Sequence, residues 1–224
     1  MRWFVLVLMG LPVIAVLRRM RRSAAPERLY RRAAWALGLT VYAAMAVQEG
    51  VLLLAGMLTW QTGLPLHLCS MMGVLTLPML LSRRRLLWHV SVFLGLPGAL
   101  LALLFPAVLA TPWPLATELS FFVLHAGLTL APLLPLGRGW RPSPRGAATA
   151  GGFLLAFGLA VMAVNAHLGS NYLFVSQPVP GTPLELLARR GIPAYRLALA
   201  LLCAALLAAE AAVVRLLPEK RPLS

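Results

Sequence analysis

The chain has 224 residues, of which 60% are hydrophobic and 12% charged, and its mean hydropathy is +0.84. A soluble domain carries about 25% charged residues, so this chain has too little polar surface to cover a core in water. The formal charge of +14 does not indicate nucleic-acid binding, because the arginines fall in short clusters between apolar runs, where membrane proteins carry orientation signals.

A transmembrane helix needs roughly 17–25 apolar residues. Hydropathy places seven such segments, at about 3–17, 33–58, 64–82, 86–109, 115–136, 147–168 and 195–217. The first is short, and Arg18, Arg19, Arg21 and Arg22 follow it. Positive charge behind an apolar run opposes export and argues for a retained helix over a cleaved signal peptide. Pro78, Pro97, Pro106 and Pro132 fall inside the runs, which neighbouring helices tolerate in a membrane. The expected fold is an all-α polytopic membrane bundle of seven transmembrane helices, or six if the first does not span, in a single domain over 1–224. The long stretch 169–194 is rich in Pro and Gly, with a short interfacial helix expected from Pro183 to Arg190. No internal repeat is visible.

The loop over 18–32 carries seven arginines, and Arg83 to Arg85 form the next basic loop. Arg138, Arg141 and Arg145 form the third, and the tail carries Arg215, Lys220 and Arg221. Together these hold sixteen of the twenty Lys and Arg residues, all on one side of a seven-helix bundle. The positive-inside rule then puts the N-terminus outside and the C-terminus in the cytoplasm.

That topology gathers the scattered polar residues into a layer. Gln48 and Glu49 fall two or three turns below the outer end of the second helix, and His67 and Cys69 one or two turns below the same face on the third. Glu118 sits near the rim of the fifth helix and His125 near mid-depth. Asn165 and His167 end the sixth, with Asn171 and Tyr172 just beyond. His89 lies apart, near the inner interface. Ionisable groups inside a bilayer are costly and mark functional sites by default. The competing reading is a hydrogen-bond network that holds helices together, at roughly 1 kcal/mol or less per contact.

Cys69 is the one nucleophile candidate in this layer. A thiol in apolar surroundings is inert unless a base or positive group activates it. His67 is two residues away and so points elsewhere if the segment is helical there. His125 and His167, on other helices, are better placed. Free Cys is more often a small packing residue, and a disulfide to Cys203 needs a proximity that shared depth does not supply.

The strings Leu64-Pro-Leu-His-Leu-Cys-Ser70, Phe121-Phe-Val-Leu-His125-Ala-Gly-Leu128, Arg141-Pro-Ser-Pro144 and Asn171-Tyr-Leu-Phe174 with Pro178 resemble the YwaF-like bacterial integral membrane proteins. The resemblance runs from about Gln48 to Pro218. That family is similar to an animal transmembrane family of lipid acyltransferases that remodels ether phospholipids, and more distantly to the androgen-induced lipid hydrolases, whose nucleophile is a Thr. By this resemblance, Cys69 is the nucleophile and His125 its partner. It implies a multi-pass protein of the bacterial cytoplasmic membrane that acts on a membrane phospholipid or lysolipid through a Cys thioester; no cofactor is expected, the Cys and His spacing shows no metal site, and the arginine distribution argues against nucleic acid. His67, Glu49, Asn165, His167, Asn171 and Tyr172 are the supporting or substrate-binding candidates. The rival readings are a small transporter or receptor-like protein with a path through Glu49, His67 and His125, and a structural membrane protein without catalysis.

Overall fold

The computed structural model describes residues 1–23, 25–82, 84–178 and 184–216. Arg83, Pro183, Lys220 and Arg221 lie outside the described residues, as does the motif's end at Pro218. Among the described residues the chain is helical with no strand. The elements are α1 (Arg2–Met20), α2 (Pro26–Leu54), α3 (Leu68–Ser82), α4 (Arg85–Val90), α5 (Leu96–Leu104), α6 (Pro114–Leu130), α7 (Leu133–Gly137), α8 (Pro144–Leu168), α9 (Leu184–Ala188) and α10 (Ile192–Leu216). A π-helical turn, Ser91–Gly95, joins α4 to α5, and a 3-10 turn, Tyr172–Phe174, follows α8.

The short span is the third helix, not the first. The first has 19 residues and the third 15, so α3 rises only ~22 Å against a hydrocarbon core of ~30 Å. Pro65 and Gly63 keep the chain from entering the helix at 64. Residues 55–67 instead form a run of turns in which the Thr62 hydroxyl donates to Met57 O at 2.7 Å. At the other end, α2 begins at Pro26, so Arg28, Arg31 and Arg32 sit in its first two turns and only five residues separate α1 from α2.

The π turn has a local cause. Pro97 has no N–H to give the Phe93 carbonyl, and its ring crowds that oxygen, so the ladder widens just ahead of it. The widened turn packs on the start of α3. A Cβ on Gly95 would lie 3.3 Å from Met72 Cε, and one on Gly98 3.2 Å from Leu68 Cδ2.

The central helix is α6, buried along most of its length and packed by α1, α2, α3 and α5. Lipid tails are as apolar as the core, so close packing and hydrogen bonds hold such helices together. Tyr30 Oη donates to Leu80 O at 2.8 Å and Tyr42 Oη to Val74 O at 2.7 Å, which fixes α2 antiparallel to α3. Gly73 of α3 faces Leu124 of α6 while Met79 and Leu80 share a core with Leu130 and Leu134, so α3 and α6 run parallel. By contrast, Tyr195 is the one buried residue of α10, which lies at the periphery. Arg138 bridges Glu27 at 2.7 Å and lies over the Tyr30 ring, which ties the third basic loop to the start of α2. The described basic clusters thus share one end of the bundle.

Candidate functional site

Cys69 is the second residue of α3. Met71 N–H makes the first helical bond, to His67 O at 2.9 Å. The N–H groups of Leu68, Cys69 and Ser70 ahead of it are the orphan donors of a first turn. Cys69 is half-buried as a residue, with its thiol turned into the core cluster that includes Met72, Phe93, Leu94 and Leu124, and it is free. Cys203 is free as well, so no disulfide joins them.

His125 lies on the core side of α6 and is 5% exposed. Its Nδ1 lies 2.7 Å from Phe121 O, and its ring tilts over Phe121 with centroids 4.1 Å apart. A carbonyl can only accept, so Nδ1 carries the proton and Nε2 keeps its lone pair. Helical side chains lean toward the N-terminus, and here the ring turns onto the carbonyl that accepts from its own turn. Gly73 sets the register between the two helices: a Cβ there would lie 3.3 Å from Leu124 Cδ1. Cys69 lies one turn before Gly73, toward the N-terminal ends of the parallel helices α3 and α6. No hydrogen bond joins Cys69 and His125 among the described residues.

His67 precedes the first helical residue and turns away from Cys69. Its ring meets Tyr172 edge-on at 5.2 Å and Phe174 at 4.9 Å. Burial in this aromatic corner holds the imidazole below its ordinary pKa. Tyr172 is fully buried, and its hydroxyl accepts Leu64 N–H and donates to Trp60 O, both at 2.9 Å. Burial pushes the phenol up, the Leu64 N–H bond opposes the shift, and the charge of Glu49 adds to it.

Asn165 is spent on the same corner. Its Nδ2 donates to Tyr172 O, while its Oδ1 accepts from Tyr172 N and from the Ser170 hydroxyl. Gly169, at φ +66°, makes the left-handed turn that folds the chain back onto α8. Asn171 is spent likewise on Ser176 N, Gln177 N and Gln177 O. Each amide nitrogen has one N–H in these bonds and a second beyond them. Of the other candidates, Glu49 is half-buried near Tyr172, and His167 lies on the exposed face of α8.

Two groups escaped the sequence reading. Leu173 and Phe174 both have left-handed backbone, φ 57° and 56°, a conformation that costs bulky residues of order 1–3 kcal/mol each. Tyr195 Oη, 2.6 Å from Phe174 O, and Arg196 Nε, 2.8 Å from Val175 O, pin that turn. A buried carbonyl acceptor for a tyrosine on a distant helix leaves no local signal. The other is Glu210, toward the basic end of α10, where Oε2 is buried without a hydrogen-bond partner. With His89 it gives the far half of the bundle a second titratable group. No cluster able to hold a metal ion occurs among the described residues.

The sequence profile of the TMEM164 family, a transmembrane family, matches residues 1–209. The chain belongs to the TMEM164 family. The family match takes in α1 and α2, well ahead of Gln48, and so includes the first helix whose status the sequence left open. No curated protein and no solved structure matches the chain. Family membership and the apolar helices together make this a multi-pass membrane protein.

Proposed function

We propose that this TMEM164-family protein is a membrane-embedded acyltransferase or lipid hydrolase that works through a thioester on Cys69. What supports the proposal is a His125 imidazole whose Nδ1 is bonded to Phe121 O and a free thiol in the first turn of α3, which packs on the same helix α6. His125 Nε2 takes the Sγ proton. The sulfur attacks an ester carbonyl of a phospholipid, and the orphan N–H groups of Cys69 and Ser70 receive the charge on its oxygen; one such donor contributes about 3–4 kcal/mol. The C–O bond breaks, and the lysolipid alkoxide leaves with the proton from His125. A second lysolipid, or water, then gives its proton to His125 and takes the acyl group, restoring the thiol.

Asn165 and Asn171 enter as positioning residues, since their amides already hold the loop that packs His67 over the start of α3. By the positive-inside rule the basic end faces the cytoplasm, which places Cys69 in the outer half of a bacterial cytoplasmic membrane, where ester groups lie. The test is labelling of intact membranes with an acyl-type electrophilic probe. Wild type should label; Cys69→Ala should not; His125→Ala should label about 10²–10⁴-fold more slowly. Equal labelling of wild type and Cys69→Ala rules out the thiol mechanism.

A further inference from the structure

At the basic end, far from Cys69, a cleft of ≈ 330 Å³ opens beside the turn between α1 and α2. Arg18, Arg19, Arg22, Ser23 and Leu29 line it. Arg18 and Arg19 belong to the last turn of α1, where cations suit the carbonyl end of the helix. Arg22 lies just outside the helix and adds its charge to the same basic cluster. Among the described residues no carboxylate pairs with any of the three, and Glu27 is engaged by Arg138. Three guanidinium groups around one opening repel each other unless an anion neutralises them.

The two remaining residues narrow the identity of that anion. Ser23 Oγ accepts the Ala25 N–H at 3.0 Å, which leaves its own O–H as a donor at the cleft lining. Leu29 adds an apolar wall, continuous with the core that includes Leu17 and Val16. Forked cationic donors, a hydroxyl and an apolar side suit a phosphate attached to an acyl chain.

We infer that this cleft binds the phosphate headgroup of an anionic membrane lipid. The site stands apart from the Cys69 chemistry and does not depend on it. The test uses the full chain in nanodiscs of phosphatidylcholine containing a minor share of phosphatidylglycerol, then counts the phosphatidylglycerol retained per protein after extraction into zwitterionic detergent. The Arg18→Gln/Arg19→Gln/Arg22→Gln variant should retain about tenfold less than wild type. The Arg28→Gln/Arg32→Gln/Arg145→Gln variant, which removes equal charge from the same end but outside the cleft, should retain as much as wild type. Equal loss in both variants would mean diffuse attraction and would overturn the site. Thermal unfolding without anionic lipid checks that each variant folds, and Arg22→Gln alone replaces the triple variant if that one does not. In the second arm, inorganic phosphate should fail to displace the retained lipid; displacement by phosphate at comparable concentration would make this a free-phosphate site and overturn the lipid assignment.

Discussion

Asn165 and Tyr172 grip each other's turn in both directions: the Asn165 amide donates to Tyr172 O at 2.9 Å, and its carbonyl accepts Tyr172 N–H at 3.0 Å. Seven residues of chain, including the Gly169 reversal, are closed by one side chain. Because Tyr172 in turn holds Trp60 O and Leu64 N through its hydroxyl, α8 is tied to the segment that starts α3.

Asn165→Leu keeps the volume and removes every one of these bonds. It leaves the Tyr172 backbone and the Ser170 hydroxyl buried and unpaired, a loss of about 1–3 kcal/mol per orphaned group. We expect a fall in the thermal midpoint in detergent of several degrees, with Asn165→Asp intermediate because it keeps the acceptor and loses the donor. An unchanged midpoint for Asn165→Leu would show that the turn is held by the Tyr195 and Arg196 contacts alone.

Tyr172→Phe keeps the aromatic contact to His67 and removes only the hydroxyl. Leu64 N–H and Trp60 O lose their partner, so the run of turns over 55–67 should loosen while the helices stay folded. Hydrogen exchange is the measurement: amides from 57 to 67 should exchange faster in the variant, and those in α6 should not change. Uniform acceleration would mean global destabilisation instead of local release.

His67 makes the outer corner acid-sensitive. Its folded pKa lies below the ordinary 6.5 because burial disfavours the charged ring. The unfolded chain then binds the extra proton first, so the contribution of His67 to stability is intact above the ordinary value and is lost as pH falls below it toward the folded value. Thermal midpoints measured from neutral pH down to about pH 5 should fall for wild type and flatten for His67→Phe, which cannot titrate. Parallel curves would assign the acid limb to another group.

Hydropathy alone makes the helices legible, because an apolar run of span length has few alternatives in a bilayer. It misplaces the start of α3: Leu64 and Leu66 are apolar, yet Pro65 and the Thr59–Thr62 turn keep them out of the helix. The π turn is likewise invisible to hydropathy, although Pro97 marks it afterwards. The polar layer is legible as a set of residues but not as roles. Asn165, Asn171 and Tyr172 stand close together in sequence, and only the turns at Gly169, Leu173 and Phe174 show that Asn165 binds Tyr172 while Asn171 binds Ser176 and Gln177. For His125 the sequence gives the depth of the backbone and misses the bond to Phe121 O that orients its ring.

Glu210 supplies the last prediction. Leu207, one turn earlier on α10, lies against Gly151 of α8, where a Cβ would come within 3.2 Å of its Cδ1. Ala211 and Val214 pack toward the same core, so Glu210 shares the inward side of an otherwise peripheral helix. An unpartnered buried oxygen costs about 1–3 kcal/mol, and few contacts of α10 offset it. Glu210→Leu should therefore raise the thermal midpoint in detergent, whereas Glu210→Gln, which keeps an unpartnered polar atom, should change it little. If Glu210→Leu instead lowers the midpoint, the carboxyl has a partner in the membrane, and a proton or lipid contact at this end of α10 becomes the next question for mutagenesis.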